Sequence, residues 1–444
     1  MNIATAPIIA SSPPSRRLWI FGAFALLWAI FYLATPLNAR FTASDSFSAV
    51  NDDTSDEDRA ELNAEATAQG SLARQLSLAT LALFGATCLM LPAERRVRLQ
   101  GLGGMLIVGF LLWTMASAAW SGEIGTTLRK QTVLMCLAIA ALGVAKQFSL
   151  RQIVYFTVFA GGLLLVSGTF SELALGTFQP LDPEYRFSGL TWPAFDAWMF
   201  SLLLLGAAVL YPEAGKYRGV LIAICVAALG AIVMTKTRAG TAGLLAGLGV
   251  YVALTWPSRR LLLGVLAGVT CVSAGVLFLT LATPNASDTL VDVVNLGRAE
   301  TAEGISGRSQ LWEDLMPFIA DRPLIGYGYD SFWTPDHLVQ IGEDNWGAPD
   351  AHNGYINLTL GVGLIGAAAY VLVLFSGFGR AWARSLKTRS VEYAFACGAI
   401  VVSAINTGFV STQLAPALYA FITLAVLAHL GFIVEPSGKA VSLS

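Results

Sequence analysis

Twelve apolar runs restrict this chain more than any motif in it does. They lie at roughly 18–36, 76–92, 101–119, 131–145, 153–170, 195–211, 219–235, 240–256, 261–282, 355–376, 392–410 and 414–433. About 20 apolar residues in a helix cross the hydrocarbon core of a bilayer, so runs of this kind predict an all-α polytopic membrane protein with about twelve transmembrane helices. Charged residues make up 13% of the 444, well below the roughly 25% of soluble chains. Many runs carry Gly and Ala, which let helices approach closely. The five cysteines (Cys88, Cys136, Cys225, Cys271 and Cys397) fall inside apolar runs without metal-ligand spacing and read as small buried hydrophobes. No internal repeat of the transporter kind is visible.

The charges give the orientation. Alternate connections carry Arg16 and Arg17; Arg95, Arg96 and Arg98; Lys146 and Arg151; Lys216 and Arg218; Arg259 and Arg260; and Arg380, Arg384, Lys387 and Arg389. By the positive-inside rule these are cytoplasmic, as are both termini. The expected organisation is a cytoplasmic N-terminus at 1–17, a transmembrane domain at 18–433, and a cytoplasmic tail at 434–444. Outward loops then fall at 37–75, 171–194 and 283–354, the last and largest between spans nine and ten. The run 18–36 follows two arginines like a signal peptide, but its apolar core is too long and no small-residue cleavage site follows. It reads as a first anchored helix. The 37–75 loop, with NDDTSDEDRAE, is acidic and suits a flexible segment.

The stretch Gly307 to Gly363 concentrates the chemistry. It belongs largely to the longest polar interval, is rich in Trp, Tyr, Asp and Arg, and holds two of the three histidines, His337 and His352. Three arginines stand out on the otherwise acidic outward side: Arg186 in EYRFSG, Arg238 in TKTRAG and Arg308 in GISGRSQLW. A charge beside a membrane face requires a carboxylate, a lipid phosphate or a substrate phosphate. The planar guanidinium fork suits a diphosphate; snorkelling or a structural ion pair is the alternative. His352, in DAHNGY, has an ordinary pKa of about 6.5 that suits a general base, with Asp350 close enough in sequence to tune it. The spacing of His337, Asp336, Asp350 and His352 matches no standard metal cage, and GYGYDSF lacks the lysine of a phosphate loop. Its Tyr327, with Trp346, could stack on a sugar ring or sit at the membrane interface.

Four places, in order, carry a family resemblance: SAAWSGEIGTTLRK (Ser117 to Lys130), RFSGLTWPAFDAW (Arg186 to Trp198), TKTRAG, and the pattern GR-x3-W, P-x-x-G-x-G-x3-F, HNGY of the large loop. Together they resemble the O-antigen ligase and polymerase family of bacterial envelope glycosyltransferases, nearest to its exopolysaccharide polymerases of the ExoQ type. The resemblance covers roughly residues 110–375. It implies a GT-C-like fold in the inner membrane with a periplasmic active site. It implies an inverting transfer from an undecaprenyl-diphosphate-linked oligosaccharide to a glycan acceptor, with no metal or other cofactor. Matched residue by residue, Arg238 and Arg308 take the place of the diphosphate clamp and His352 that of the base. Arg186, Tyr327, Trp346, Asp350 and Asn353 are the candidate substrate-binding residues. The implied partners are the lipid-linked donor, a carrier-linked repeat or lipid A-core acceptor, the bilayer, a chain-length regulator and a flippase, and no nucleic acid.

Polymerisation of repeat units is the expected activity. Ligation of finished polymer to lipid A-core is the first alternative, since both use one constellation. Membrane transport, as in bicarbonate-type relatives, is the second, and a non-catalytic scaffold of an export complex the third. A transporter places ionisable groups near mid-span; here they gather at the faces, with Asp196 near a span end and Asn406 the nearest polar candidate inside one.

Overall fold

The computed structural model describes residues 72–182, 185–256, 303–341, 350–411, 414–415 and 417–434. Its helices are α1 (Leu72–Met90), α2 (Gly101–Ala116), α3 (Ile124–Gln147), α4 (Leu150–Ala174), α5 (Pro193–Leu210), α6 (Arg218–Met234) and α7 (Arg238–Thr255). They continue with α8 (Glu303–Asp321), α9 (Pro335–Ile341), α10 (Gly354–Thr388), α11 (Val391–Thr407) and α12 (Leu418–Phe432). Among the described residues seven helices are long and apolar enough to cross a membrane, and three shorter apolar helices accompany them. Ten of the twelve expected spans thus have a helix; 18–36 and 261–282 lie outside the described residues, as do Trp346 and residues 37–71 of the expected 37–75 loop, whose last four residues instead begin α1.

Small residues set the helix spacing. The backbones of α1 and α3 touch where Gly85 meets Gly143: a Cβ built on Gly143 would lie 2.3 Å from the Gly85 carbonyl oxygen. In lipid, where burying apolar surface drives little association, such close approach supplies dispersion contact. The same logic joins α7 to α11, where a Cβ on Gly247 would sit 3.1 Å from the Gly398 carbonyl oxygen.

The basic connections gather at one end of the bundle. Lys146 Nζ caps the end of α1 through the Leu89 and Leu91 carbonyls at 2.6 and 2.8 Å. Arg151 pairs with Glu392 at 3.0 Å and with Glu213. Arg380 reaches the Gln100 carbonyl at 3.0 Å, and Arg96–Val97 forms a short antiparallel ladder with Ile433–Val434. The opposite end carries the 117–123, 175–192, 235–237, 322–334 and 350–353 connections.

The longest overruns of expected spans occur where polar turns are also helical. The helix over 131–145 starts at Ile124, since Arg129 and Lys130 stand at its outward end; α10 runs past 376 through its basic RAWARSLKT turns to Thr388. The 283–354 interval is not loop throughout, since α8 and α9 lie in it.

Within α10 the helix breaks at Gly363, whose backbone stands at φ 68°, ψ −179°, a region open to glycine almost alone. Groups freed around it find partners outside the helix. Tyr327 N–H donates to the Leu360 carbonyl and Gly328 N–H to that of Gly361, both at 2.8 Å, while Leu364 N–H donates to the Pro323 carbonyl at 2.8 Å. Trp113 Nε1 donates to the Val362 carbonyl at 2.9 Å. Irregular backbone at membrane depth survives only when paired in this way. A Cβ on Gly363 would lie 2.1 Å from the Leu324 carbonyl. Gly363→Ala is therefore expected to destabilise the protein by more than about 2 kcal/mol, read as a lowered unfolding temperature in detergent. Gly379→Ala, with no atom within 4 Å of its Cβ, serves as the silent control.

Candidate functional site

The segment HNGY enters α10, and each of its residues has a distinct structural duty. His352 adopts a left-handed backbone at φ 47°, unusual for a residue with a side chain. Asp350 Oδ1 accepts the His352 backbone N–H at 2.7 Å and holds that turn; the same oxygen lies 3.7 Å from His352 Nδ1, too long for a hydrogen bond but close enough to act through charge. Asn353 caps the helix, its side-chain oxygen accepting the N–H groups of Tyr355 and Ile356 at 3.0 and 3.2 Å. Its own N–H donates to Ser411 Oγ at 3.1 Å, and Tyr355 donates its hydroxyl to the Ala404 carbonyl at 2.8 Å. These contacts fasten the His352 turn to the end of α11.

Helix α8 brings the arginine. Trp312 Nε1 donates to the Ala351 carbonyl at 2.9 Å, and Arg308 lies one turn earlier on the same face. Beneath them Leu311, Leu315, Phe332, Ile341, Ala351 and Leu360 form a small core of the outward region. Burial pushes the His352 imidazole below its ordinary pKa of 6.5; the Asp350 carboxylate opposes this and the Arg308 guanidinium adds to it. The net result is a histidine that stays neutral at neutral pH.

Arg186 and Arg238 share a second neighbourhood. Phe187 N–H donates to the Met234 carbonyl at 3.0 Å and Arg186 Nε to that of Thr235 at 3.3 Å. The RFSG loop is thereby docked on the TKTRAG turn, three residues before Arg238. Two buried carboxylates hold that loop, and sequence reasoning overlooked both as organisers. Glu172, 1% exposed, accepts the Ser188 and Gly189 N–H groups at 2.9 and 3.0 Å and the Tyr185 hydroxyl. Asp196, fully buried, accepts the Thr191 hydroxyl at 2.5 Å. The signal for Glu172 was present as a lone acid at the end of an apolar run, just before a loop with an arginine.

The two neighbourhoods stand at one end of the bundle. Asn406, on the α11 end that anchors the His352 turn, faces α7, where a Cβ on Gly243 would be 2.6 Å from its Nδ2; Arg238 opens that same helix. A third contact locks the loop before α9. Ser117 Oγ accepts the Tyr329 N–H at 2.9 Å, Trp120 Nε1 donates to the Ile325 carbonyl at 3.0 Å, and Lys130 pairs with Asp330 at 2.8 Å. The hydroxyls of Ser121, Thr127 and Ser331 interlock at 2.7 to 3.2 Å. The SAAWSG…TLRK motif is thus a latch on GYGYDS, a role its sequence did not disclose.

Tyr327 has its own set of partners. Its hydroxyl meets the Phe318 carbonyl at 3.2 Å and Asp321 Oδ2 at 3.1 Å, and burial followed by that Asp321 contact pushes its pKa up to about 12. It neighbours His337. Among the described residues no group of three or more His, Cys, Asp or Glu side chains is assembled as a metal cage.

Comparison with known proteins bears on these same residues. A model of the O-antigen ligase family (Wzy_C) matches residues 223–371, an interval that contains Arg238, Arg308 and His352 and leaves out Arg186 and the latch. The exopolysaccharide production protein ExoQ of Rhizobium meliloti (strain 1021) is 24% identical over 296 residues, covering 61% of this chain and 64% of that protein. The match thus spans less than two thirds of that relative's length.

Glu172 provides a structural test. Glutamine can keep its oxygen on the Ser188 and Gly189 N–H groups and turn its amide toward Tyr185, whereas alanine leaves buried donors unmet. Glu172→Ala is expected to lose at least about 2 kcal/mol and Glu172→Gln markedly less, measured by thermal unfolding in detergent.

Proposed function

We propose that this chain, an ExoQ-like relative of the O-antigen ligase and polymerase family, polymerises undecaprenyl-diphosphate-linked repeat units at the periplasmic face of a bacterial inner membrane. The matched family and relative support an envelope glycan process of the ligase and polymerase type. The observation that carries it is the contact of α8 with the His352 turn, where Trp312, one turn from Arg308, bonds the Ala351 carbonyl and burial, with the Arg308 charge, pushes the His352 imidazole below its ordinary pKa. A neutral imidazole beside a fixed cation suits a reaction in which a hydroxyl loses a proton while a diphosphate leaves.

In this reading the acceptor hydroxyl oxygen attacks the anomeric carbon on the face opposite the diphosphate. The bond from that carbon to the phosphate oxygen breaks, so the configuration inverts. The hydroxyl proton passes to His352 Nδ1 or Nε2, and the bonding electron pair leaves with the diphosphate. Arg308 and Arg238 stabilise the charge that develops there, with Arg186 beside the Arg238 turn. Positive charge on the leaving group and one base on the nucleophile suffice for such a transfer, so no metal is assigned. Trp346, Asn353 and Tyr327 remain proposed sugar contacts; the Asn353 oxygen is already spent on the α10 cap. Both termini and the basic end of the bundle are assigned to the cytoplasm by the positive-inside rule.

Ligation to lipid A-core is the second reading, favoured by the printed description of the matched family. A transport reading loses ground because the buried acids Glu172 and Asp196 are engaged by the 185–191 loop.

The test is complementation of a deletion strain at matched protein levels, with carrier-linked saccharides, secreted polymer and lipopolysaccharide resolved by size. His352→Ala should reduce polymer formation on the order of 10²–10⁴-fold and Arg308→Ala about 10²–10³-fold, with single repeats accumulating on the carrier. Long carrier-linked polymer with uncapped lipopolysaccharide would establish the ligase instead, and full rescue by both variants would refute the catalytic assignment. In membrane vesicles, activity should rise with pH through a midpoint below 6.5, because only the neutral imidazole accepts a proton. Asp350→Asn removes charge that favours the protonated form and should move that midpoint lower.

A further inference from the structure

Helix α8 reaches the His352 turn with Pro317 inside it. A proline there removes the N–H that would bond the Glu313 carbonyl and crowds that carbonyl. The piece before Pro317 carries Arg308 and Trp312, both half-buried, and the continuity of the helix does not by itself fix its aim. Leu311 and Leu315, fully buried, seat it on the small core with Phe332, Ile341, Ala351 and Leu360. Apolar packing of this kind has no direction. Trp312 adds one, through the 2.9 Å bond from its Nε1 to the Ala351 carbonyl.

That carbonyl and the His352 N–H belong to one planar peptide unit. Trp312 grips its oxygen end, and Asp350 Oδ1 grips its N–H end at 2.7 Å. Rotation of this plane changes φ of His352, which stands at 47°, a conformation that a residue with a side chain keeps only when its surroundings hold it. Ala351 is fully buried, so its oxygen has no water to turn to if the indole bond is lost. The peptide is thus clamped from both ends: by its own turn through Asp350, and through Trp312 by the helix that carries Arg308. Burial lowers the pKa of the imidazole that follows this peptide, and the Arg308 charge adds to that effect against Asp350.

We propose that Trp312 is a positioning residue for the transfer: by holding the oxygen of the Ala351–His352 peptide, its indole N–H sets the imidazole of His352 relative to Arg308, so that base and cation keep one geometry. This rests on the glycan-transfer reading above. In it Trp312 touches no reacting atom and acts through His352.

The test uses the full-length protein in lipid nanodiscs. Two variants remove the donor: Trp312→Phe, and replacement of the Trp312 indole by benzothiophene, which keeps the bicyclic shape and lacks the N–H. The second answers the question if the first fails to fold. Ile341→Ala, which thins the same small core and removes no hydrogen bond from the peptide, is the control. The first readout is the titration of His352 by NMR in protein labelled at its three histidines, which needs no activity. In both donor-less variants the midpoint should rise toward the ordinary 6.5, because burial and the Arg308 charge loosen their hold together. Arg308→Gln should raise it in the wild type and raise it less when Trp312→Phe is already present. Ile341→Ala should keep the wild-type midpoint. The second readout is consumption of carrier-linked repeats, where kcat should fall about tenfold or more and KM should change less than about twofold. Where His352→Ala is inactive, a wild-type midpoint or a wild-type kcat in the donor-less variants, or an equal midpoint shift in Ile341→Ala, would overturn the positioning role and leave the transfer reading standing. If the midpoint shifts while His352→Ala consumes repeats at the wild-type rate, the clamp on the imidazole stands and the transfer mechanism falls.

Discussion

A membrane protein cannot leave backbone groups unpaired in hydrocarbon, and the break at Gly363 shows how this fold meets that demand. The 323–328 segment lies against the opened turn of α10 and exchanges hydrogen bonds with it in both directions. Trp113 takes the carbonyl next to the break. Because of this exchange the loop that leads to α9 is fixed to the bundle, and the first part of α10 can leave the line of the second. His352 stands at the tip of that first part. The position of the candidate base therefore depends on a glycine whose neighbours would collide with any Cβ.

Charge is used in opposite ways on the two sides of the site. The acids Glu172 and Asp196 are buried and serve the backbone and hydroxyls of the RFSG loop. Each replaces water that a membrane-facing loop would otherwise need, and a carboxylate accepting several bonds is a strong anchor. Arg186 stands in the loop those anchors hold. Arg186 reaches over the turn before Arg238, and Arg308 projects from the face of α8 that Trp312 presses on Ala351. In the proposed transfer rigid placement would matter, because preorganised donors stabilise developing charge without a cost of reorganisation.

Much of this was legible in the sequence. Hydropathy located every described membrane-length helix, because burial in lipid is enforced residue by residue along the run. The order of the motifs pointed to Arg238, Arg308 and His352, and the matched family interval contains all three. Other features were not legible. The hydroxyls of Ser121, Thr127 and Ser331 are more than 200 residues apart in part and meet only through folding. Asn353, expected to contact sugar, also caps α10 through its side-chain oxygen, a duty its sequence context did not show. Tyr327 and His337 pack on Phe318, and Tyr327 also meets Asp321, contacts that no spacing in the sequence records.

The sequence by itself determined the class of the protein, the helices, the segregation of basic connections, and the residue types on which a transfer from a lipid diphosphate would rest. These follow from local physics: apolar length, charge near a membrane face, and the chemistry of individual side chains. Only the tertiary structure decided which residues share a neighbourhood. It put Arg308 beside His352, set Arg186 on the Arg238 turn, and turned two acids into loop anchors. Those outcomes depend on backbone groups freed by breaks and turns finding partners far away in the chain, and no local pattern records where such partners lie.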